Sequence, residues 1–403
     1  MKTISIVFGA IVALGLIAAG WVYMYWDKAA PIAAMAINYV RYFSARAGAL
    51  TTEEAAVTDA KPALSATASI ANAAPLVADA TPGAAPGNWP SYNKTLTSNR
   101  FSELKQINKE NVGGLKVLCT YDTEQYTGFT SGLLEVNDAL IAVTEYDIIS
   151  LDPTNCRQNW RTHENYTPAS PQGVNRGAAY MDGKLFRGTQ DGRVSAYDFK
   201  TGGRLWATSI ADPKKGESAP AAPIAWSGLV FIGNAGGDVK GVKGRMYALD
   251  AKTSDIVWEF YLAPKSEGDL ERGPESATPL DMSSWKNTSD SPVTGGATWT
   301  SYTLDPATGL LYIPGGNPAP DFATGPREGS NHYSGSVFVL DAKTGAYKNH
   351  LKLVPRDWHD WDVSSAPSIV RTAGGKSSSP SRPRTGISMV STSLPTRCFI
   401  AFP

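Results

Sequence analysis

Four short stretches of this chain hold residue types that a plain scaffold has little use for. Gly233-Asn234-Ala235-Gly236-Gly237-Asp238 runs through glycines to a carboxylate, and Gly295-Gly296-Ala297-Thr298-Trp299 runs through glycines to an indole. Gly315-Gly316-Asn317-Pro318-Ala319-Pro320 sets an amide in a constrained turn, and Asp357-Trp358-His359-Asp360-Trp361-Asp362 gathers three carboxylates. Glycine lets a backbone come close to a neighbour. Asp and Asn oxygens are the ligands that hard cations such as calcium require. Taken singly, each stretch reads as an ordinary turn or a solvated rim. Taken together they imply a hard-cation site with a carboxylate beside it for proton transfer.

The elements that must position these residues are short strands. Eleven Trp, 17 Tyr, 38 Gly and 27 Pro suit a turn-rich all-β chain. Asp182-Gly183 and Asp191-Gly192 are hairpin signals. A repeat emerges when segments are aligned: Asp152 precedes Trp160, Asp198 precedes Trp206 and Asp250 precedes Trp258, with the same offset each time. The spacing between copies is roughly 50 residues, the range of propellers and solenoids. A fourth copy, Val337 to Asp341 with Thr344-Gly345, has Asn349 in the Trp place. These Trp residues are expected to dock one blade on the next rather than to serve chemistry.

Lys plus Arg equals Asp plus Glu at 37 each, so no global field recruits nucleic acid. Only three cysteines occur, none in a metal or haem spacing. Cys119 and Cys156 flank the first expected blade and pair in an oxidising compartment; two buried thiols are the alternative. Ile4 to Tyr25 is almost wholly apolar and, at about 22 residues, long enough to span a bilayer. Residues 1–28 are therefore expected to be a transmembrane helix, with cleavage after Ala18, Ala19 and Gly20 as the alternative. Residues 29–87 form an Ala-, Thr- and Pro-rich linker, and the folded part starts near Trp89.

From Trp89 to about Lys376 the sequence resembles the pyrroloquinoline-quinone (PQQ)-dependent alcohol dehydrogenases, the quinoproteins. The resemblance is carried by Trp89-Pro90-Ser91-Tyr92, Arg100 to Asn108, Val174-Asn175-Arg176-Gly177 and the four stretches above, in order. It implies an eight-bladed periplasmic propeller using PQQ and calcium, with an alcohol, including polyols or polymeric alcohols, as substrate. A separate cytochrome c or membrane quinone would take the electrons. By this resemblance Arg176 lies beside the quinone oxygens, Trp299 is the floor under the cofactor with Thr298 next to it, Asp238, Asn317 and Asp362 hold calcium, and Asp362 is the catalytic base. Asp360 is the rival base. The chain departs from the family in several places: Asp238 stands where Glu is frequent, no cysteine pair stands near Ser170-Pro171, and Thr130 replaces a cofactor-contacting Glu. Ser364 stands where lanthanide users have a further Asp, which favours calcium.

After Lys376 the resemblance stops, and 377–403 is expected to be an aberrant tail without regular structure. The stretch from Ser377 to Thr396 can be written in codons that, read one base earlier, give strand, Asp-Gly turn and strand, so a frameshift is expected, leaving five to six of eight blades and a chain that can be inactive. The contrasting reading is a non-catalytic periplasmic propeller scaffold, which would need neither Asp238, Asn317 nor Asp362 together.

Overall fold

A computed structural model describes residues 87–125, 128–170, 173–274, 282–323, 325–371, 385–389 and 398–401. The expected membrane span, the linker up to residue 86 and the junction after Lys376 lie outside them. Among the described residues no helix is long and apolar enough to cross a membrane.

Four antiparallel sheets of four strands follow one another. The first holds β1 (Leu134–Val136), β2 (Ala139–Val143), β3 (Asp147–Leu151) and β4 (Gln158–His163); the second holds β5 (Ala178–Met181), β6 (Lys184–Gly188), β7 (Arg193–Asp198) and β8 (Arg204–Ser209). The third holds β9 (Ile224–Trp226), β10 (Leu229–Gly233), β11 (Arg245–Asp250) and β12 (Ile256–Tyr261). After a ribbon of β13 (Lys286–Asn287) with β16 (Arg327–Glu328), the fourth holds β14 (Thr303–Asp305), β15 (Leu310–Pro314), β17 (Ser336–Asp341) and β18 (Tyr347–Lys352). Strand β5 lies against both β1 and β9, and β14 lies against Ser368–Arg371, the first strand of the sheet that follows, so first strands line the inner side. This is an all-β, propeller-like arrangement.

The hairpin between third and fourth strands is built the same way in every full sheet. Register slips just before the Asp, between Ser150 and Leu151, Ala196 and Tyr197, Ala248 and Leu249, and Val339 and Leu340. Asp198 Oδ1 then accepts the backbone N–H groups of Lys200 and Thr201 at 3.1 and 2.9 Å, and Asp341 Oδ1 does the same for Lys343 and Thr344. Four residues after the Asp the chain turns left-handed, at Cys156, Gly202, Ser254 and Gly345. The indoles dock sheet on sheet. Nε1 of Trp160, Trp206 and Trp258 donates to the carbonyls of Phe199, Ala251 and Ala342, each just after the Asp of the next sheet. Gly202 has φ +72° and a Cβ there would run into the Trp160 ring, so both backbone and packing demand glycine. Cys119 and Cys156 are joined, which ties the segment before β1 to the β3–β4 turn.

The segment Trp89–Ser98 runs along the inner side. Trp89 bridges Glu135 and Ser91 bridges Ala179, while the carbonyls of Leu96 and Thr97 accept from Leu304 and Ile369. It thus bonds the inner strands of four sheets. The tail differs from expectation. β20 (Thr385–Met389) and β21 (Cys398–Ala401) pair in order with β19 (Ser368–Arg371) as a three-stranded fifth sheet. The physical reason is that an open strand edge presents unpaired N–H and C=O groups, which an extended segment satisfies whatever its composition.

Candidate active site

In an antiparallel four-stranded sheet, the residues before the first strand and the loop between the second and third emerge at the same end. Arg176 precedes β5, Trp299 precedes β14 and Asp362 precedes β19; Asp238 joins β10 to β11 and Asn317 joins β15 to β17. All six expected site residues, with Thr298 beside Trp299, therefore share one end, and the Asp-capped turns occupy the other.

The glycine runs bring these loops against each other. Gly244 N–H donates to Gly295 O at 2.9 Å, Gly296 N–H to Asn317 O at 2.9 Å, Gly316 N–H to Ala297 O at 2.8 Å and Thr298 N–H to Asn234 O at 3.0 Å. What the glycines allow the backbone to approach is, first of all, the neighbouring loop. A Cβ on Gly316 would stand 2.6 Å from Asp362 Oδ1, so glycine is also the condition for the carboxylate to sit there. Thr298 is fully buried in this lacing, where it anchors the residue that follows it.

Asp362 is clasped from two sides. The Trp299 indole N–H donates to Oδ2 at 2.5 Å, and the Asn317 backbone N–H donates to Oδ1 at 2.7 Å. Burial nevertheless pushes its carboxyl up to about 6; the two donors pull the other way, and Asp360 and Asp321 add to the rise. Asp238 stands at the rim, yet the surrounding protein displaces water and raises its carboxyl to about 7, with Asp321, Asp362 and Asp360 contributing repulsion. Asp360 is exposed and receives neither clasp.

Oxygen donors crowded this way fit a hard cation, which would relieve the repulsion that raises them. The Asn317 side-chain NH2 is engaged by Asp321 and by Pro318 O, so its amide oxygen is the atom left to ligate. Among the described residues no three His, Cys, Asp or Glu side chains gather as a metal cluster, so a cation would need the Asn oxygen or further ligands. For a flat anionic cofactor the fit is an aromatic face with a cation. The Arg176 guanidinium carbon lies 4.5 Å from the centroid of the Trp299 ring.

Three positioning groups escape sequence reasoning. Asp357, counted above among three carboxylates, is buried and caps its own loop, accepting from His359 N–H at 2.9 Å and Trp361 N–H at 3.1 Å. Asp321 orients the Asn317 amide. Arg327, almost fully buried, donates to Pro320 O at 3.0 Å and to Asp357 O at 2.5 Å, and so staples the Asn317 loop to the Asp362 loop. A signal existed only for Asp321, which directly follows Asn317-Pro318-Ala319-Pro320.

Residues 89–381 match the family model described as PQQ, glucose/ethanol/alcohol dehydrogenase, β-propeller domain. The chain belongs to this family. Among curated relatives, the dehydrogenase subunit of the quinone alcohol dehydrogenase of Acetobacter aceti is 33% identical over 307 residues, covering 71% of this chain and 40% of the relative. The lanthanide-dependent methanol dehydrogenase of Methylacidiphilum fumariolicum is 32% identical over 302 residues, covering 71% and 49%. The solved quinohemoprotein alcohol dehydrogenase ADHIIG of Pseudomonas putida HK5 superposes with a TM-score of 0.65 at 28% identity, covering 75% of this chain and 45% of that one. This PQQ-family chain thus spans less than half the length of these relatives.

Proposed function

We propose that this chain carries the cofactor- and cation-holding part of a quinoprotein dehydrogenase that oxidises an alcohol with PQQ and calcium. Electrons would leave to a cytochrome c or a membrane quinone, in the bacterial periplasm, with Ile4–Tyr25 as the inner-membrane tether. The observation that carries the reading is the clasp on Asp362, a raised carboxylate oriented by an indole and a backbone amide.

When bound, the quinone supplies a two-electron acceptor and the cation a Lewis acid that sharpens it. Asp238 and Asp362 carboxylates and the Asn317 amide oxygen would hold the cation. Arg176 and Trp299 would hold the cofactor, one by charge and the other by its ring face. Asp362 takes the alcohol hydroxyl proton. Its carboxyl, raised to about 6, leaves it largely ionised near neutrality and a stronger base than an ordinary aspartate. The N–H groups of Trp299 and Asn317 keep that base aimed while it works. Ser364, in place of a further Asp, favours calcium over a lanthanide.

The test is dye reduction by an added alcohol in protein loaded with PQQ and calcium. Asp362→Asn should lower turnover by about 10²- to 10⁴-fold, the usual worth of a positioned base, with PQQ binding kept. Unchanged turnover overturns the assignment of the base. Failure of the unaltered protein to bind PQQ with calcium present supports the scaffold reading instead.

A further inference from the structure

We propose that a cavity behind the Asp238 loop is a second binding site, built for a neutral polyhydroxylated molecule, a polyol or a sugar. The cavity measures about 440 Å³ and is lined by Lys243, Glu267, Asp269, Met282, Trp285 and Asn287, among others. That size is typical of small-molecule sites. It shares its wall with the candidate active site. Gly241 N–H donates to Thr294 Oγ1 at 2.9 Å, and Lys243 bridges Gly295, so the backbone behind it leads to Asp238 on one side and to Trp299 on the other.

The polar groups define the ligand. The Lys243 side chain is only 5% exposed; its ammonium donates to Ser266 Oγ at 2.9 Å and to Asp269 Oδ2 at 2.5 Å. An ammonium has three protons, so one remains for a hydroxyl oxygen. Asn287 donates its amide N–H groups to Ser291 O and Pro292 O at 3.0 and 3.2 Å, while its buried Oδ1 has no partner. A buried acceptor left unmade is costly, and a ligand O–H satisfies it. Trp285, Met282 and Val293 supply apolar surface for the C–H face of such a molecule.

The alternatives fit less well. An anion would meet Glu267 and Asp269 with a single cation that is already paired. A metal ion or an amine would face the buried Lys243 ammonium. A monohydric aliphatic alcohol brings a single hydroxyl to a wall that offers Lys243, Glu267, Asp269 and Asn287. What remains is a neutral ligand with several hydroxyls, able to accept at one place and donate at another.

The inference goes beyond the dehydrogenase reading and is tested without it, by calorimetric titration of cofactor-free protein. Sorbitol and glucose should bind saturably in the millimolar range, and 1-propanol, ethylammonium and inorganic phosphate more weakly. Asn287→Leu should weaken sorbitol binding about tenfold, the worth of one buried hydrogen bond with its desolvation. Circular dichroism verifies that the variant folds. No saturable binding of either probe to the unaltered protein overturns the site. So does equal binding by a folded Asn287→Leu, or tighter binding of phosphate, ethylammonium or 1-propanol. Because no redox step is read, failure here leaves the dye-reduction result untouched, and the converse holds.

Discussion

Asp198 and Asp362 stand at opposite ends of the sheets, and their surroundings push them in opposite directions. Asp198 is open to water and takes the backbone N–H groups of its own turn, so its carboxyl is held below the usual range, chiefly by the Thr201 hydrogen bonds. Asp152 is lowered in the same manner by Thr154. Asp362, Asp238 and Asp321 are raised, burial leading in each case and neighbouring carboxylates adding to it. The turn end is therefore complete in itself, since its acceptors find donors within four residues. The loop end gathers acceptors faster than donors, a condition that structure alone does not relieve and that a cation or proton does. One end of this molecule holds the sheets together, and the other is poised to bind.

That contrast can be broken in order of size. The largest effect belongs to the sheet-docking indoles. Trp258→Ala, which removes a buried ring bonded to Ala342 O in the next sheet, should destabilise by about 3–5 kcal/mol in chemical denaturation. A cost under about 1 kcal/mol would deny the indole its docking role. At the loop end, Arg327→Leu should cost about 2–3 kcal/mol, because it orphans the carbonyls of Pro320 and Asp357. Unlike Trp258→Ala, it should also weaken calcium binding by separating the Asn317 and Asp362 loops. Equal calcium affinity in a folded Arg327→Leu would reduce the arginine to a packing role.

Two turn glycines then make a paired test. Gly202 and Gly183 both have positive φ, but only at Gly202 would a Cβ strike a neighbouring ring, while nothing lies within 4 Å of one at Gly183. Gly202→Ala should cost about 2 kcal/mol or more and Gly183→Ala about 1 kcal/mol, measured by thermal unfolding. Equal costs would mean that Trp160 does not seat against the turn.

The smallest expected effect is the dependence on pH. The folded carboxyls of Asp362 and Asp238, at about 6 and about 7, lie above the ordinary value of 3.8. The folded state thus holds protons that the unfolded state releases, and a contribution fully present below about pH 4 is lost progressively as pH rises from there to 7. With a chelator present, the denaturation midpoint should fall over this window. Added calcium should stabilise more at pH 7.5 than at pH 5. A calcium effect independent of pH would place the ion away from these carboxylates.

Much of the hairpin repeat was legible because its chemistry is local. The Asp, the left-handed residue four places on and the Trp beyond the turn all act within about a dozen residues, so pattern implies geometry. The loops were legible as residue types and not as an arrangement. Nothing in Gly295-Gly296 says that its partners are Gly244 and Asn317, and nothing in Arg327 says that it joins Pro320 to Asp357. Asp357 and Asp362 looked alike in sequence, yet one caps a turn and the other is clasped by Trp299. The tail misled because composition reports side chains, whereas the edge of β19 is satisfied by backbone.

By itself the sequence determined the all-β repeat, the docking role of its Trp residues and the short runs in which acceptors accumulate, because each depends on neighbours along the chain. The tertiary structure alone decided which acceptors meet. Antiparallel pairing carries Arg176, Asp238, Trp299, Asn317 and Asp362 to one end from five separate loops. Whether a carboxylate is lowered or raised then depends on the water and charge around it, and those are properties of the assembled end rather than of any one segment.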